Sequence, residues 1–320
     1  MRRLTEALAA LVLLAVAAVA GAIAFDAPRY PAASPGLASP PASAQWKAAE
    51  MPAAQRLAAR DGAPLAYRAY LGKPDQIVVL IHGSTGTSLD MHRLAQALQA
   101  AGATVYSLSL RGHGGSGTAY GDVSYIGQLD DDLADFMKGL GLDKPGQRRT
   151  LIGFSVGGGF ALRTASGRMQ RAFDKYIAIA PYVADYAALG RRSIGGWAFP
   201  ATLRIAGLYL LEELGIERFQ DLTAVRYAVD PKPDDQHTPA YTYRMLRSLH
   251  MGFHTSREIG RIEAPTVILT SDKDQLAGLQ ASGNPHLRLR QIQGVDHADM
   301  VLDPRALSEI VSIWRDLNSR

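Results

Sequence analysis

The chain has no cysteine, which excludes disulfides, thiolate nucleophiles and zinc–thiolate sites, so a nucleophile must be an oxygen or a nitrogen. It also lacks a dominant charge: 34 basic and 30 acidic residues are spread along its length and leave a net +4. A balance that small and that dispersed is a solvated surface and gives no reason to expect a nucleic-acid partner. No Lys-Ser or Lys-Thr pair follows any of its glycine runs, which removes a Walker-type phosphate loop. What the chain does have is 320 residues that are 47% hydrophobic, enough for one large core that needs no metal or other cofactor to hold it.

The longest apolar run is at the start. Arg2 and Arg3 precede an apolar stretch from Ala7 to Phe25, which is long for a signal-peptide core and near the lower limit for a membrane span. Ala22-Ile23-Ala24 satisfies an A-x-A cleavage pattern, whereas the length of the run and the Pro/Ala/Ser-rich residues after it fit a retained anchor. Both readings put the protein in the cell envelope, membrane-anchored or secreted after cleavage; a buried core helix is the alternative to both, disfavoured because the run carries its charge only at its start. The expected organisation is a signal anchor or signal peptide over 1–26, a Pro/Ala-rich linker over 27–50 and a catalytic-size domain over 51–320.

Within that domain, "RLAARDGAPLAYRAYLG" alternates around Asp61-Gly62, a dipeptide suited to a hairpin turn. Short apolar runs then alternate with helical stretches: "QIVVLIHG", "SLDMHRLAQALQAAG", "TVYSLSL", "YIGQLDDDLADFMKGLG", "RRTLIGFS", "VGGGFALRTASG" and "KYIAIAPY". "PTVILTSDKD", "LRLRQIQGVDHADM" and a closing helix, "PRALSEIVSIWRDLNS", complete the pattern. This is the signature of an α/β fold with a mostly parallel central sheet and helices on both faces. The rhythm breaks between Tyr182 and Ile262, which predicts an inserted helical cap at about 183–261. Its segment "WAFPATLRIAGLYLLEELG" carries more apolar residues than one helical stripe holds, so this helix should bury two faces. Trp197, Phe199 and Leu208 there either line a pocket for an apolar substrate or pack on the main domain.

Gly153-Phe154-Ser155-Val156-Gly157 lies between a predicted strand and a predicted helix, the context in which G-x-S-x-G presents a nucleophile. A dinucleotide fingerprint starting at Gly157 fails at Leu162 and comes too late in the sheet. A serine needs a base, and the base a carboxylate. Downstream, a strand ends in Asp272 and Asp274, and His297 sits in a loop before the last helix. Asp274, further past the strand, is the expected acid and Asp272 the fallback; Asp296 adjoins the histidine and would have to turn back on it. His237, His250 and His254, in or near the insertion, suit surface or cap roles. The backbone N–H of Ser84 in "IHGSTGTS", with Thr85 as the second choice, is positioned to pair with that of Val156 as an oxyanion hole. His82 reads as a loop-shaping residue, and "RGHGGSG" as a structural loop beside the pocket.

With "LIHGSTGTS", "SLRGHGGSG", "GFSVGGG", "TSDKD" and "GVDHADM" in hand, the chain resembles the α/β-hydrolase superfamily, in its branch of lysophospholipase-like, monoacylglycerol-lipase-like and serine-aminopeptidase-like serine hydrolases. The resemblance covers about residues 55–318 and implies the α/β-hydrolase fold with a substrate-selecting cap. It also implies a triad that falls on Ser155, Asp274 and His297, with Ser271 standing where many relatives have glycine. The implied activity is cleavage of a small-molecule carboxylic ester, and an envelope location favours a lipid-like one. An amidase or aminopeptidase is the alternative within the fold, for which Glu212-Glu213 is a candidate amine-binding pair. A non-catalytic envelope binding protein is the alternative outside it.

Overall fold

A computed structural model describes residues 2–29, 51–183, 196–229, 237–251, 255–273 and 283–319. Two short strands, β1 (Gln55–Ala58) and β2 (Pro64–Tyr70), form the hairpin expected around Asp61-Gly62. Gly62 takes φ 80° at the turn, a value favoured by glycine, and the Asp61 carboxylate accepts from the Ala63 N–H at 3.1 Å.

The strands that follow are β3 (Lys73–Ile81), β4 (Ala103–Leu108), β5 (Arg148–Phe154), β6 (Lys175–Ile179), β10 (Thr266–Ser271) and β11 (Leu287–Ile292). They join the hairpin in one 8-stranded sheet of order β1-β2-β4-β3-β5-β6-β10-β11, antiparallel at β1-β2 and β2-β4 and parallel elsewhere. In β3, Ile77, Val79 and Ile81 join the core on one face while Val78 and Leu80 join that on the other. A continuous apolar run is what a strand covered on both sides requires. The covering helices are α2 (His92–Ala100), α3 (Gln128–Gly139), α4 (Val156–Ser166) and α8 (Pro304–Asn318).

Between β6 and β10 the described residues form β7 (Ala198–Pro200), α5 (Thr202–Glu213), β8 (Thr223–Tyr227), β9 (Ala240–Thr242), α6 (Tyr243–Leu249) and α7 (Thr255–Ile259). The expected helical cap therefore also contains an antiparallel three-stranded sheet, β7-β8-β9. Strands of three to five residues are too short to show a period of two. Residues 198–200, expected to open a helix, form β7 instead, and α5 begins after Pro200.

Helix α5 packs on β8 and against the end of α1 (Arg2–Phe25), the N-terminal apolar helix, but the two buried faces expected of it are only partly realised, since Leu203 and Leu210 are exposed. Gly207 makes this approach possible, since a Cβ there would lie 2.8 Å from Ile23 Cγ1. The two helix ends also satisfy each other. Asp26 accepts from the N–H groups of Leu203 (2.8 Å) and Arg204 (3.3 Å), at the start of a helix whose own N-cap, Ala201, supplies no side-chain acceptor. In return, the Arg204 guanidinium donates to the carbonyls of Ile23 (2.9 Å) and Ala24 (3.5 Å) at the end of α1. Both sets of groups lack partners within their own helices. Arg226 Nε donates to Pro28 O at 3.0 Å and holds the next few residues against the cap. Most of α1 is otherwise exposed. The Pro/Ala-rich stretch after it lies largely outside the described residues.

Candidate active site

Ser155 occupies the one residue between β5 and α4, with φ 54° and ψ −117°, in the left-handed region that serine ordinarily avoids. The turn is held from three directions: the Ser155 N–H donates to Ile179 O (2.9 Å), and its carbonyl accepts from Gly159 (3.0 Å) and Tyr182 (2.9 Å). The flanking glycines are steric necessities. A Cβ on Gly153 would fall 1.9 Å from Gly157 O, and one on Gly157 would fall 2.3 Å from His82 O. Gly83 likewise packs against Phe154 and Ser155, where its Cβ would meet the Ser155 Cβ at 3.3 Å.

His297 opens a 3₁₀ turn, His297–Val301, beyond β11, and its Nε2 lies 3.0 Å from Ser155 Oγ. That distance lets the imidazole take the serine proton. The Phe154 ring lies alongside, with centroids 5.2 Å apart. Asp274 falls outside the described residues. Asp272 is exposed and engaged in the local turn: its Oδ1 accepts from the Gly294 N–H at 2.6 Å and from the Ser271 hydroxyl at 3.3 Å. These donors, the Gly294 N–H foremost, hold its carboxyl below the usual range. Asp296 is exposed and lies 4.0 Å from Lys273 Nζ. Ser271 Oγ also donates to Val295 O, tying the end of β10 to the histidine loop.

Opposite the serine turn runs the loop after β3. The Thr85 N–H is taken by the Tyr241 hydroxyl at 2.8 Å, which leaves Ser84 as the candidate donor there. Val156 is the first residue of α4, so its N–H has no acceptor within the helix. His82 is wholly buried and fixed as one tautomer: Leu110 N–H donates to Nε2 (3.1 Å), so the proton is on Nδ1 and goes to Gly83 O (2.8 Å). Burial pushes its pKa down to about 4, so it is a neutral fixture of the loop.

Trp197 reaches this loop, donating from Nε1 to Ser84 Oγ at 2.9 Å. Phe199 is half-buried in β7, paired with Arg226, and Leu208 is buried within the cap. No described contact brings either of them to Ser155. Glu212 accepts from Tyr243 Oη (2.5 Å) and from Arg247 (2.9 and 3.0 Å). His250, expected at the surface or in a cap role, is buried against the Tyr182 ring and held neutral, its pKa pushed by burial to about 4. His254 lies outside the described residues.

Tyr241 and Thr238 bond to Thr85 in the loop after β3, and His113 bonds to Tyr241. His113 carries a signal, its place among the glycines of "RGHGGSG", but the two cap residues stand in sequence with no motif around them. A cavity of about 610 Å³ lined in part by Arg148, Lys175 and His286 opens at the other end of the strands and takes no part in this constellation.

A parallel sheet carrying a serine on a strained strand-to-helix turn, with a histidine from beyond the last strand on its hydroxyl, defines a serine hydrolase of the α/β-hydrolase superfamily. The chain belongs to the family described as serine aminopeptidase, S33, whose family model matches residues 72–298. It is 27% identical over 224 residues to the monoacylglycerol lipase of Mycolicibacterium smegmatis, covering 65% of this chain and 74% of that one. A soluble variant of monoglyceride lipase from Saccharomyces cerevisiae, solved with a substrate analog, shares the fold with a TM-score of 0.61 at 17% identity, over 86% of this chain and 96% of the other. A membrane phospholipase A described as a bacterial virulence factor matches over 100% of both chains, with a TM-score of 0.57 at 17% identity.

Proposed function

We propose that the protein is a membrane-anchored serine hydrolase that cleaves a lipid-like carboxylic ester through an acyl-enzyme on Ser155. The observation that carries this reading is the 3.0 Å contact between His297 Nε2 and Ser155 Oγ at the strained turn. His297 takes the serine proton as Oγ attacks the ester carbonyl. The oxyanion is received by the N–H groups of Ser84 and Val156, and Asp274 orients the imidazole and balances its charge. Collapse expels the alcohol, which takes its proton from His297. Water then attacks the acyl-enzyme by the same route, releasing the acid and restoring Ser155.

The monoacylglycerol lipase relatives support an ester of lipid type over other acyl compounds. The engagement of Glu212 by Arg247 and Tyr243 weighs against aminopeptidase use of that carboxylate, since it already has two partners. Trp197 is retained as a residue of the acyl entrance because of its bond to the loop at Ser84; Phe199 and Leu208 would shape the cap behind it.

Membrane anchoring rests on α1. Its 24 residues extend about 36 Å at 1.5 Å per residue, sufficient for a hydrocarbon core of about 30 Å. Arg2 and Arg3 at its start favour a cytoplasmic N-terminus and a catalytic domain on the far side. The mutual capping of α1 and α5 supports retention in that it gives the end of α1 a place in the folded protein.

The test uses the full chain in detergent. The wild type should label with a fluorophosphonate probe and hydrolyse p-nitrophenyl esters with activity rising from short to long acyl chains, and Ser155→Ala should lose both. Labelling that persists in Ser155→Ala would reject the nucleophile, and activity confined to short esters would reject the lipid-like substrate.

A further inference from the structure

At Ser84 and Thr85, the loop after β3 is held by the cap. Thr85 sits at φ 65°, a conformation that a β-branched residue resists and that persists only where the surroundings impose it. Both of its backbone groups are bound by cap residues: its N–H donates to Tyr241 Oη (2.8 Å), and its carbonyl accepts from the Thr238 N–H (3.0 Å). A third cap residue, Trp197, holds the Ser84 hydroxyl.

The grip is anchored on its far side. Tyr241 Oη lies 2.7 Å from His113 Nε2, and His113 Nδ1 lies 3.1 Å from Arg111 O. A carbonyl can only accept, so Nδ1 carries the proton and Nε2 accepts from the tyrosine hydroxyl. Tyr241 Oη thus accepts from Thr85 and donates to His113, both of its roles fixed. Thr238 Oγ1 donates to Gly112 O at 2.8 Å, beside His113. Tyr241, Thr238, His113 and Thr85 are all buried, where such bonds are not traded for water. Burial also holds His113 neutral, with its pKa near 3, so it remains an acceptor at any ordinary pH.

We propose that Tyr241, with Thr238, is a positioning residue for the oxyanion hole, through which the cap holds Thr85 and thereby aims the preceding Ser84 N–H at the oxyanion. The cap is then part of the catalytic apparatus as well as a cover over the substrate. The inference rests on the serine-hydrolase reading above.

The experiment compares the wild type with Tyr241→Phe, full-length in detergent, on one p-nitrophenyl ester and one trifluoromethyl ketone that mimics the tetrahedral adduct. Removing an oxyanion donor outright costs about 10² to 10³ in kcat; misaiming one should cost about 10- to 100-fold in kcat, with KM within about twofold and ketone affinity falling in parallel. Tyr227→Phe removes another buried hydroxyl from the same aromatic cluster, whose ring centroid lies 4.9 Å from that of Tyr241, and should leave kcat near wild type. Thr238→Val removes the hydroxyl given to Gly112 O but keeps the N–H given to Thr85; it should show a smaller loss confined to kcat, and it serves where Tyr241→Phe folds poorly.

Wild-type kcat and ketone affinity in Tyr241→Phe would overturn the inference, as would equal losses in Tyr241→Phe and Tyr227→Phe that track their melting temperatures. Either outcome would leave Ser155 labelling, and the reading it tests, intact. A wild type that never labels at Ser155 would remove that reading, and the inference with it.

Discussion

Ser155 holds its hydroxyl forward by a backbone angle that only its neighbours make tolerable. Gly157 is the most exacting of them, because a methyl group there would meet two backbone carbonyls, His82 O at 2.3 Å and Ile81 O at 2.6 Å, neither of which can swing aside. Gly157→Ala should therefore destabilise the fold by about 1–3 kcal/mol, the range for overpacking, and lower kcat at least tenfold by displacing the turn. Denaturant melts and ester turnover measure the two effects, and a variant with wild-type stability would mean the turn is looser than described. At this scale the sequence was informative where chemistry is local: the glycine–serine turn and the histidine before the last helix stand in short motifs that the fold brings together. The Tyr241 contact with Thr85 spans 156 positions, and no local pattern around an isolated cap tyrosine announces it. Asp274 lies outside the described residues, while Asp272 is engaged in the turn at Gly294.

Among the elements, α5 links the N-terminal helix to the cap. Asp26 satisfies two N–H groups at its start in place of an N-cap side chain, so Asp26→Ala should cost about 1 kcal/mol, the usual worth of such a cap, and should loosen the segment after α1. Faster trypsin cleavage at Arg29 together with a slightly lower melting temperature would register this; an unchanged cleavage rate would mean that Arg204, Arg226 and the packing of Gly207 on Ile23 hold the junction without Asp26. The excess of apolar residues on α5 predicted two buried faces, yet Leu203 and Leu210 are exposed. Nor could it foretell that α1 would pack on this helix, because an apolar stripe records the need for cover and not the identity of what covers it. The central strands were legible because sustained β-branched runs such as Ile77–Ile81 have few other uses, whereas the cap strands are too short to carry a period.

For the molecule as a whole, His82, His113 and His250 are, among the described residues, buried histidines held neutral, with pKa values pushed by desolvation to about 4, 3 and 4. The unfolded chain binds protons on all three near the ordinary value of about 6.5, so more protons are bound unfolded than folded anywhere between. Their contribution is intact above that pH and is lost progressively as pH falls toward 4, reaching about 2 kcal/mol per histidine at pH 5. Melting temperatures taken from neutral pH to pH 5 should fall steeply, and a flat profile would mean that these rings have access to water. The same scale gives the junction at Arg204 and Asp26 a further meaning. Because the chain is gripped as it leaves α1, and again at Pro28, the proposed anchor is a rigid post and not a tether. Under the proposed function, the height of Ser155 above the bilayer would be a fixed dimension of the protein, and a lipid would be selected by how far its ester bond must rise from the membrane as well as by how its chain fits.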